Sequence, residues 1–265
     1  VSNDDRGKLQ TLERDLKSPT LNKLAELCEV MEVHPLTLLT LAYAGDDAQR
    51  AELCEMGLWI GRAVGYRNAG TVEFLQDADT GRIYFIEVNP RIQVEHTVTE
   101  CATGIDIVKA QIHIAAGARI GTPQSGVPPQ GEIRVMAHAL QCRITTEDPE
   151  NGFIPDYGRL TAYRSPAGFG IRLDAGTAYT GAIITRSYDS LLVKVTAWAP
   201  TPEEASARMH RALWEFRIRG VVTNLRFLDQ VITHPAFASG EYTTRFIDTT
   251  PELFHFPRKR DRATR

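Results

Sequence analysis

Three hydrophobic rhythms follow one another along the chain. Near the start the period is helical: Ser18-Pro19 reads as an N-cap and first helical residue, and Leu21, Leu24, Leu27, Cys28 and Met31 repeat every three to four positions. A second helix runs from Pro35 through Leu38, Leu39 and Leu41 to a stop at Gly45, and Gly45-Asp46-Asp47 marks a boundary. A third helix, Gln49 to Val64, leads through Asn68-Ala69-Gly70 into a period of two. Thr71–Ala78 and Arg82–Asn89 are rich in Val, Phe, Ile and Tyr, with a three-residue hairpin loop, Asp79-Thr80-Gly81, between them. Gly104–Ala116 reads as a helix closed by Gly117, and a Pro/Gly/Gln-rich connector spans Gly121 to Gly131.

From Glu132 onward the pattern is of short strands: Val135–Thr145, Arg159–Tyr163, Ile171–Asp174 and Leu191–Trp198. One helix interrupts them. Thr201-Pro202-Glu203-Glu204 is a capping box with Pro at the first position, Ala205, Met209, Ala212, Leu213 and Phe216 form its apolar stripe, and Gly220 is its expected stop. The expected fold class is α+β. Its expected divisions are a helical segment 1–46, an α/β segment 49–131, a strand-rich domain 132–255 and a basic linker 256–265.

The hairpin carries the first chemical signal. With Thr80 at its apex, Glu73 faces Glu87 and Thr71 faces Asn89. Two carboxylates about 5 Å apart repel by roughly 3 kcal/mol at an effective dielectric near 20. Glu73, Glu87 and Asn89 share one face, and all three present oxygen, which suits a hard cation such as Mg²⁺ or Mn²⁺. A solvated face with splayed glutamates is the plain alternative. The Asn at the next same-face position and the Arg91-Ile92-Gln93-Val94-Glu95 run that follows favour the ion.

Arg91, Gln93 and Glu95 alternate along what reads as an extended run, so they are expected on one face beside that ion. An arginine grips a small planar anion through paired N–H donors, and a neighbouring glutamate can take a proton. A surface ion-pair ladder is the bland reading of the same residues. Arg143, mid-strand in Gln141-Cys142-Arg143-Ile144, needs an anionic partner: Asp148, Glu150 or a substrate oxyanion.

Composition narrows the class. The 265 residues carry a net charge of −3, 43% hydrophobic and 24% charged residues, an ordinary globular balance with no overall basic footprint. No apolar run spans a bilayer, and no signal-peptide pattern opens the sequence. Four cysteines without a CxxC pair (Cys28, Cys54, Cys101, Cys142) point to reduced, mostly buried thiols in a cytoplasmic setting. The seven histidines form no metal-binding spacing.

From about Gln49 onward the chain resembles the C-terminal part of the biotin carboxylase family, in particular the biotin carboxylase domains of pyruvate carboxylases. The runs that carry this are GTVEFL (70–75), FIEVNPRIQVEHTVTE (85–100), HALQCRITTEDP (138–149), AGFGIR (167–172), YDS (188–190) and FIDTTP (246–251). The resemblance implies the C-terminal half of an ATP-grasp domain followed by a biotin carboxylase C-terminal domain. It implies ATP- and bicarbonate-dependent carboxylation of biotin held on a separate carrier domain, feeding conversion of pyruvate to oxaloacetate in a homo-oligomer. It assigns Glu73, Glu87 and Asn89 to Mg²⁺ or Mn²⁺, Leu75 with Glu73 and Glu87 to the ATP side, and Arg91, Gln93 and Val94 to bicarbonate. Glu95 becomes the base, Arg91 a catalytic contact, and Arg143 the stabiliser of the biotin enolate.

Before residue 49 the family pattern is not recognisable. Leu9–Ala44 weakly resembles part of a Cro/repressor-type helix-turn-helix. Residues 1–46, however, hold 5 Lys/Arg against 8 Asp/Glu, the wrong sign for a DNA footprint, so neither nucleic acid nor a membrane is expected as partner. A DNA-binding regulator with a carboxylase-derived domain, or a truncated or fused product without activity, are the alternatives. The 20 glycines are dispersed, and no glycine-rich loop closes over phosphates. With one wall of the site not encoded, little turnover is expected of this chain by itself. Bicarbonate-dependent ATP cleavage with free biotin should stay at background, and family-like rates would contradict this.

Overall fold

The computed structural model describes residues 47–256. The helices expected before residue 47 and the basic tail from 257 lie outside them. The chain forms two compact units: one runs through Arg91 and includes 240–250, and the other comprises 92–239 with the residues from 251.

In the first unit, helix α1 (Asp47–Ala63) is followed by strands β1 (Thr71–Gln76) and β2 (Ile83–Asn89), an antiparallel pair. Gly57 of α1 lies against Val72. Asn68 takes a left-handed φ of 76°, and the Tyr66 hydroxyl donates to the Ala69 carbonyl at 2.9 Å, which fixes the turn into β1. The hairpin loop differs from the expected three residues. Asp77 N–H donates to Arg82 O, so four residues, Ala78–Gly81, form the loop. Asp77 Oδ1 accepts from Asp79 N (2.9 Å) and Thr80 N (2.7 Å), and Gly81 supplies φ 69°. Those bonds from Thr80 hold the Asp77 carboxyl below its usual range.

A bulge then corrects the register. Phe74 pairs with Phe85, but Glu73 pairs with Glu87, so one residue of β2 is extra between them. The longer loop and the bulge offset each other. Glu73 faces Glu87 and Thr71 faces Asn89, as the simpler geometry anticipates.

In the second unit a three-stranded antiparallel sheet is the frame. Its strands are β3 (His138–Thr145), β4 (Ile171–Ala175) and β5 (Leu191–Ala199), in the order β3-β5-β4. One face is apolar: Cys142 and Ile144 of β3 and Val193, Val195 and Ala197 of β5 are buried with Met209, Ala212 and Leu213 of helix α4 (Pro202–Glu215). Thr201 Oγ1 accepts from Glu204 N at 3.2 Å, as the capping box requires. Helix α4 stops at Glu215, not Gly220, because Arg217–Arg219 pairs with Ala162–Arg164. Gly220 ends that strand at φ 101°, where a Cβ would strike the Arg159 carbonyl oxygen. Helix α5 (Leu225–Thr233) closes the core with Phe227 and Ile232.

Other boundaries move too. β3 begins at His138, not Val135. The expected strand 159–163 is split into Gly158–Arg159 and Ala162–Arg164, which pair with different partners. The helix expected over 104–116 is present as α3 (Ile107–Ala115), and an unanticipated helix, α2 (His96–Thr103), precedes it. Gly104 is the left-handed stop of α2 (φ 73°), and the Asp106 carboxylate caps α3 by accepting from Lys109 N at 2.8 Å. Among described residues no helix is long and apolar enough to cross a membrane. Cys54, Cys101 and Cys142 are free thiols: Cys54 is exposed, while Cys142 is buried and its thiol is pushed up to about 12, by burial first and then by Asp229.

The sheet's second face takes α2. Thr97, fully buried, shares a 2.7 Å hydrogen bond with Thr196 Oγ1 of β5 and accepts from Gln141 Nε2 of β3 at 2.6 Å. Thr97→Val should cost about 1–3 kcal/mol in urea unfolding, because partners lose a buried bond. The double variant Thr97→Val/Thr196→Val should fall short of the sum of the single losses, since neither hydroxyl is then left alone.

Candidate functional site

Strand alternation and the β2 bulge bring Glu73, Glu87 and Asn89 to one patch in the first unit. Asn89 Nδ2 donates to Glu73 Oε1 at 2.7 Å and to Glu87 Oε1 at 2.8 Å. One oxygen of each carboxylate is thus aimed at a common point, and the amide protons there neutralise part of the repulsion between them. Turning the amide by half a rotation replaces Nδ2 with Oδ1 and leaves three converging oxygens. That donor set would suit a hard divalent cation, which prefers oxygen ligands. Leu75 lies two residues further on the same strand and is fully buried, so it forms wall and not open surface. Arg91, also in this unit, donates its backbone N–H to Asn89 O at 2.8 Å and keeps its side chain exposed.

The second unit holds Gln93, Val94, Glu95 and Arg143. The expected extended run does not persist. Residues 94–95 form a turn, and Glu95 (φ −80°, ψ 0°) is the N-cap of α2, so two-residue alternation ends before it. His96 anchors the turn from within, its N–H and Nδ1 both meeting Gln93 O. The Glu95 carboxylate caps no helix N–H. It accepts from Arg143 Nη2 at 2.7 Å. The partner of Arg143 is therefore Glu95, not Asp148 or Glu150. Asp148 instead accepts from Glu150 N and Asn151 Nδ2.

Two residues absent from the sequence-based site complete the grip. Gln141 Nε2 donates to Val94 O at 3.0 Å, and Lys194 Nζ donates to the same carbonyl at 3.3 Å. Gln141 lies two residues from Arg143 on β3, and Lys194 is the cross-strand partner of Arg143 on β5. The available signals were the polar alternation Gln141/Arg143 and a lone lysine inside the apolar run LLVKVTAWA. Beyond Lys194, the same face carries Arg172, paired with Glu100 Oε2 at 2.5 Å and with both oxygens of Asp174 at 2.9 Å. Burial works to lower the Arg172 pKa, but those carboxylates outweigh it and hold it up.

Comparison with known proteins bears on this geometry. Residues 141–249 match the biotin carboxylase C-terminal domain, and residues 25–122 match the ATP-binding domain of the carbamoyl-phosphate synthase L chain. The chain thus carries a biotin carboxylase C-terminal domain and part of an ATP-binding domain of the carbamoyl-phosphate synthase L type. It is 53% identical over 237 residues to pyruvate carboxylase of Bacillus subtilis, covering 89% of this chain and 20% of that protein. It is 70% identical to a crystal structure of a complete multifunctional pyruvate carboxylase from Rhizobium etli, with TM-score 0.82 over 84% of this chain and 21% of that one. A second structure is the biotin carboxylase domain dimer of Hydrogenobacter thermophilus 2-oxoglutarate carboxylase with MgADP, ADP and bicarbonate. It is 41% identical, with TM-score 0.76 over 81% of this chain and 46% of that one. The chain thus spans about a fifth of the length of the curated relatives it matches. Its α+β architecture is that of the biotin carboxylase neighbours. The ATP-binding match begins at residue 25, so much of the stretch likened to a helix-turn-helix falls inside it.

The two clusters differ in what they do for stability. Asn89→Ala should destabilise the hairpin by about 1–2 kcal/mol, because two facing carboxylates lose their shared donor. Adding Glu73→Gln should recover most of that. Arg143→Ala should change stability by less than about 1 kcal/mol, since both members of its ion pair are 50% exposed. Thermal unfolding of the three variants checks all of this.

Proposed function

We propose that this chain supplies the metal-, bicarbonate- and biotin-facing residues of an ATP-dependent biotin carboxylation, within a carboxylase acting on pyruvate. The observation that carries the reading is the 2.7 Å contact between Arg143 and Glu95, residues 48 apart in sequence. The family likeness assigns these two positions to the biotin enolate and to the base. The working divisions are 49–131 for the ATP-grasp part and 132–255 for the C-terminal domain; the gap between the family matches, from 122 to 141, supports a boundary near 131.

Glu73, Glu87 and Asn89 would hold Mg²⁺ or Mn²⁺, whose charge offsets that of the ATP phosphates. Leu75 would form the apolar wall on the adenine side. Arg91, Gln93 and the Val94 backbone would hold bicarbonate, with the planar guanidinium matching the planar anion. Glu95, held in place by Arg143, would accept the bicarbonate proton. Arg143 then turns toward the ureido oxygen of biotin as negative charge develops there. A half-exposed ion pair suits that exchange, because breaking it costs little. Biotin would arrive on a carrier domain, and the relative crystallised as a domain dimer supports a homo-oligomer. The setting would be cytoplasmic.

Metal binding tests the reading without turnover. Mn²⁺ titration followed by electron paramagnetic resonance should show a bound ion on the 265-residue chain. Glu73→Gln/Glu87→Gln should weaken that binding at least tenfold, and unchanged binding by the double variant would overturn the assignment.

A further inference from the structure

Lys194 stands in an unusual place for a lysine. Its neighbours on β5, Val193 and Val195, are fully buried in the core, while Lys194 points from the opposite face and is itself only half-exposed. Across the strands it faces Arg143 on one side and Asp174 on the other. Asp174 is spent on Arg172 by a two-point contact. Glu95 is spent on Arg143. Among the described residues no carboxylate lies within ion-pair distance of Lys194, and its one hydrogen bond goes to the Val94 carbonyl.

Holding an ammonium beside a guanidinium without a carboxylate of its own is costly. A backbone carbonyl offers only a dipole in return. The arrangement makes sense where a fixed carbonyl is needed and where a further negative charge arrives. Gln141 already donates to the same Val94 oxygen, so the carbonyl is held by two donors from two strands. Fixing that carbonyl fixes the peptide plane that leads into Glu95. The Glu95 side chain is in turn tied to Arg143, next to Lys194.

We propose that Lys194 is a positioning residue for the bicarbonate turn: with Gln141 it sets the Val94–Glu95 peptide, and its uncompensated charge strengthens anion binding beside Arg143. This rests on the bicarbonate site proposed above. It adds a residue that acts through Val94 and Glu95 and takes no proton itself. The electrostatic part is sensitive to charge and the positioning part to donor geometry, so arginine should replace lysine far better than methionine does.

The test is a bicarbonate titration of the isotopically labelled chain, following the backbone amide signals of Val94, Glu95 and His96 by NMR. The unsubstituted chain should show saturable shifts at these amides. Lys194→Met should weaken bicarbonate binding about tenfold and speed hydrogen exchange at the same amides, with the melting temperature little changed. Lys194→Arg should restore affinity to within about twofold. Saturable binding by Lys194→Met with unchanged affinity would overturn the role of Lys194 while leaving the bicarbonate site standing. No saturable shift in the unsubstituted chain would remove the bicarbonate site itself, and this inference with it.

Discussion

Buried polar groups must find partners, and that demand organises the second unit. One face of β3-β5-β4 packs on α4 through aliphatic side chains and needs nothing further. The other face carries Gln141, Arg143, Lys194, Thr196, Arg172 and Asp174, a set no apolar helix can cover. The 93–103 segment meets it with matching groups: a carbonyl at Val94, a carboxylate at Glu95, a hydroxyl at Thr97 and a carboxylate at Glu100. No buried side-chain nitrogen or oxygen among the described residues lacks a partner. Bonds at 2.6–2.7 Å in the buried Thr97 cluster set where α2 begins. The exposed part of the same interface is left with the weaker, exchangeable contacts.

That gradient from buried to exposed separates structure from chemistry. The hydroxyl cluster is shielded from water, so its bonds are worth their full desolvation cost. The Arg143–Glu95 pair is half-exposed and contributes little to stability. A residue with the role proposed for Arg143, releasing one anion to meet another, gains from being held weakly. The hairpin of the first unit shows the same economy. Glu73 and Glu87 face each other at a price in repulsion, and a single amide from Asn89 offsets part of it. An amide that donates in one orientation and accepts in the other leaves that cluster able to hold a cation.

Much of this was legible in the sequence, for physical reasons. A strand has a strict period of two, so the pairing of Glu73 with Glu87 and the shared face of Asn89 follow from counting. The capping box at Thr201 is local chemistry and reads directly. What failed was non-local or ambiguous. Gly104 closes one helix, although a glycine before a helical stretch reads locally as its start. Gly220 terminates a strand that exists only because Ala162–Arg164 lies beside it. The hairpin loop is one residue longer than its turn signal implies, and the register is kept because a bulge in β2 absorbs the difference.

Arg143 shows most clearly why local spacing is not enough. Asp148 and Glu150 are near it in sequence, but both lie beyond the end of β3, where the chain turns into a short 3₁₀ helix and Asp148 spends its oxygens on that turn. Glu95 is distant in sequence and reaches Arg143 because α2 docks across the sheet through Thr97. The contact on which the proposed chemistry rests is thus a consequence of a buried hydroxyl two residues away. A strand can place a guanidinium on a face by itself, whereas choosing its carboxylate took the packing of a helix.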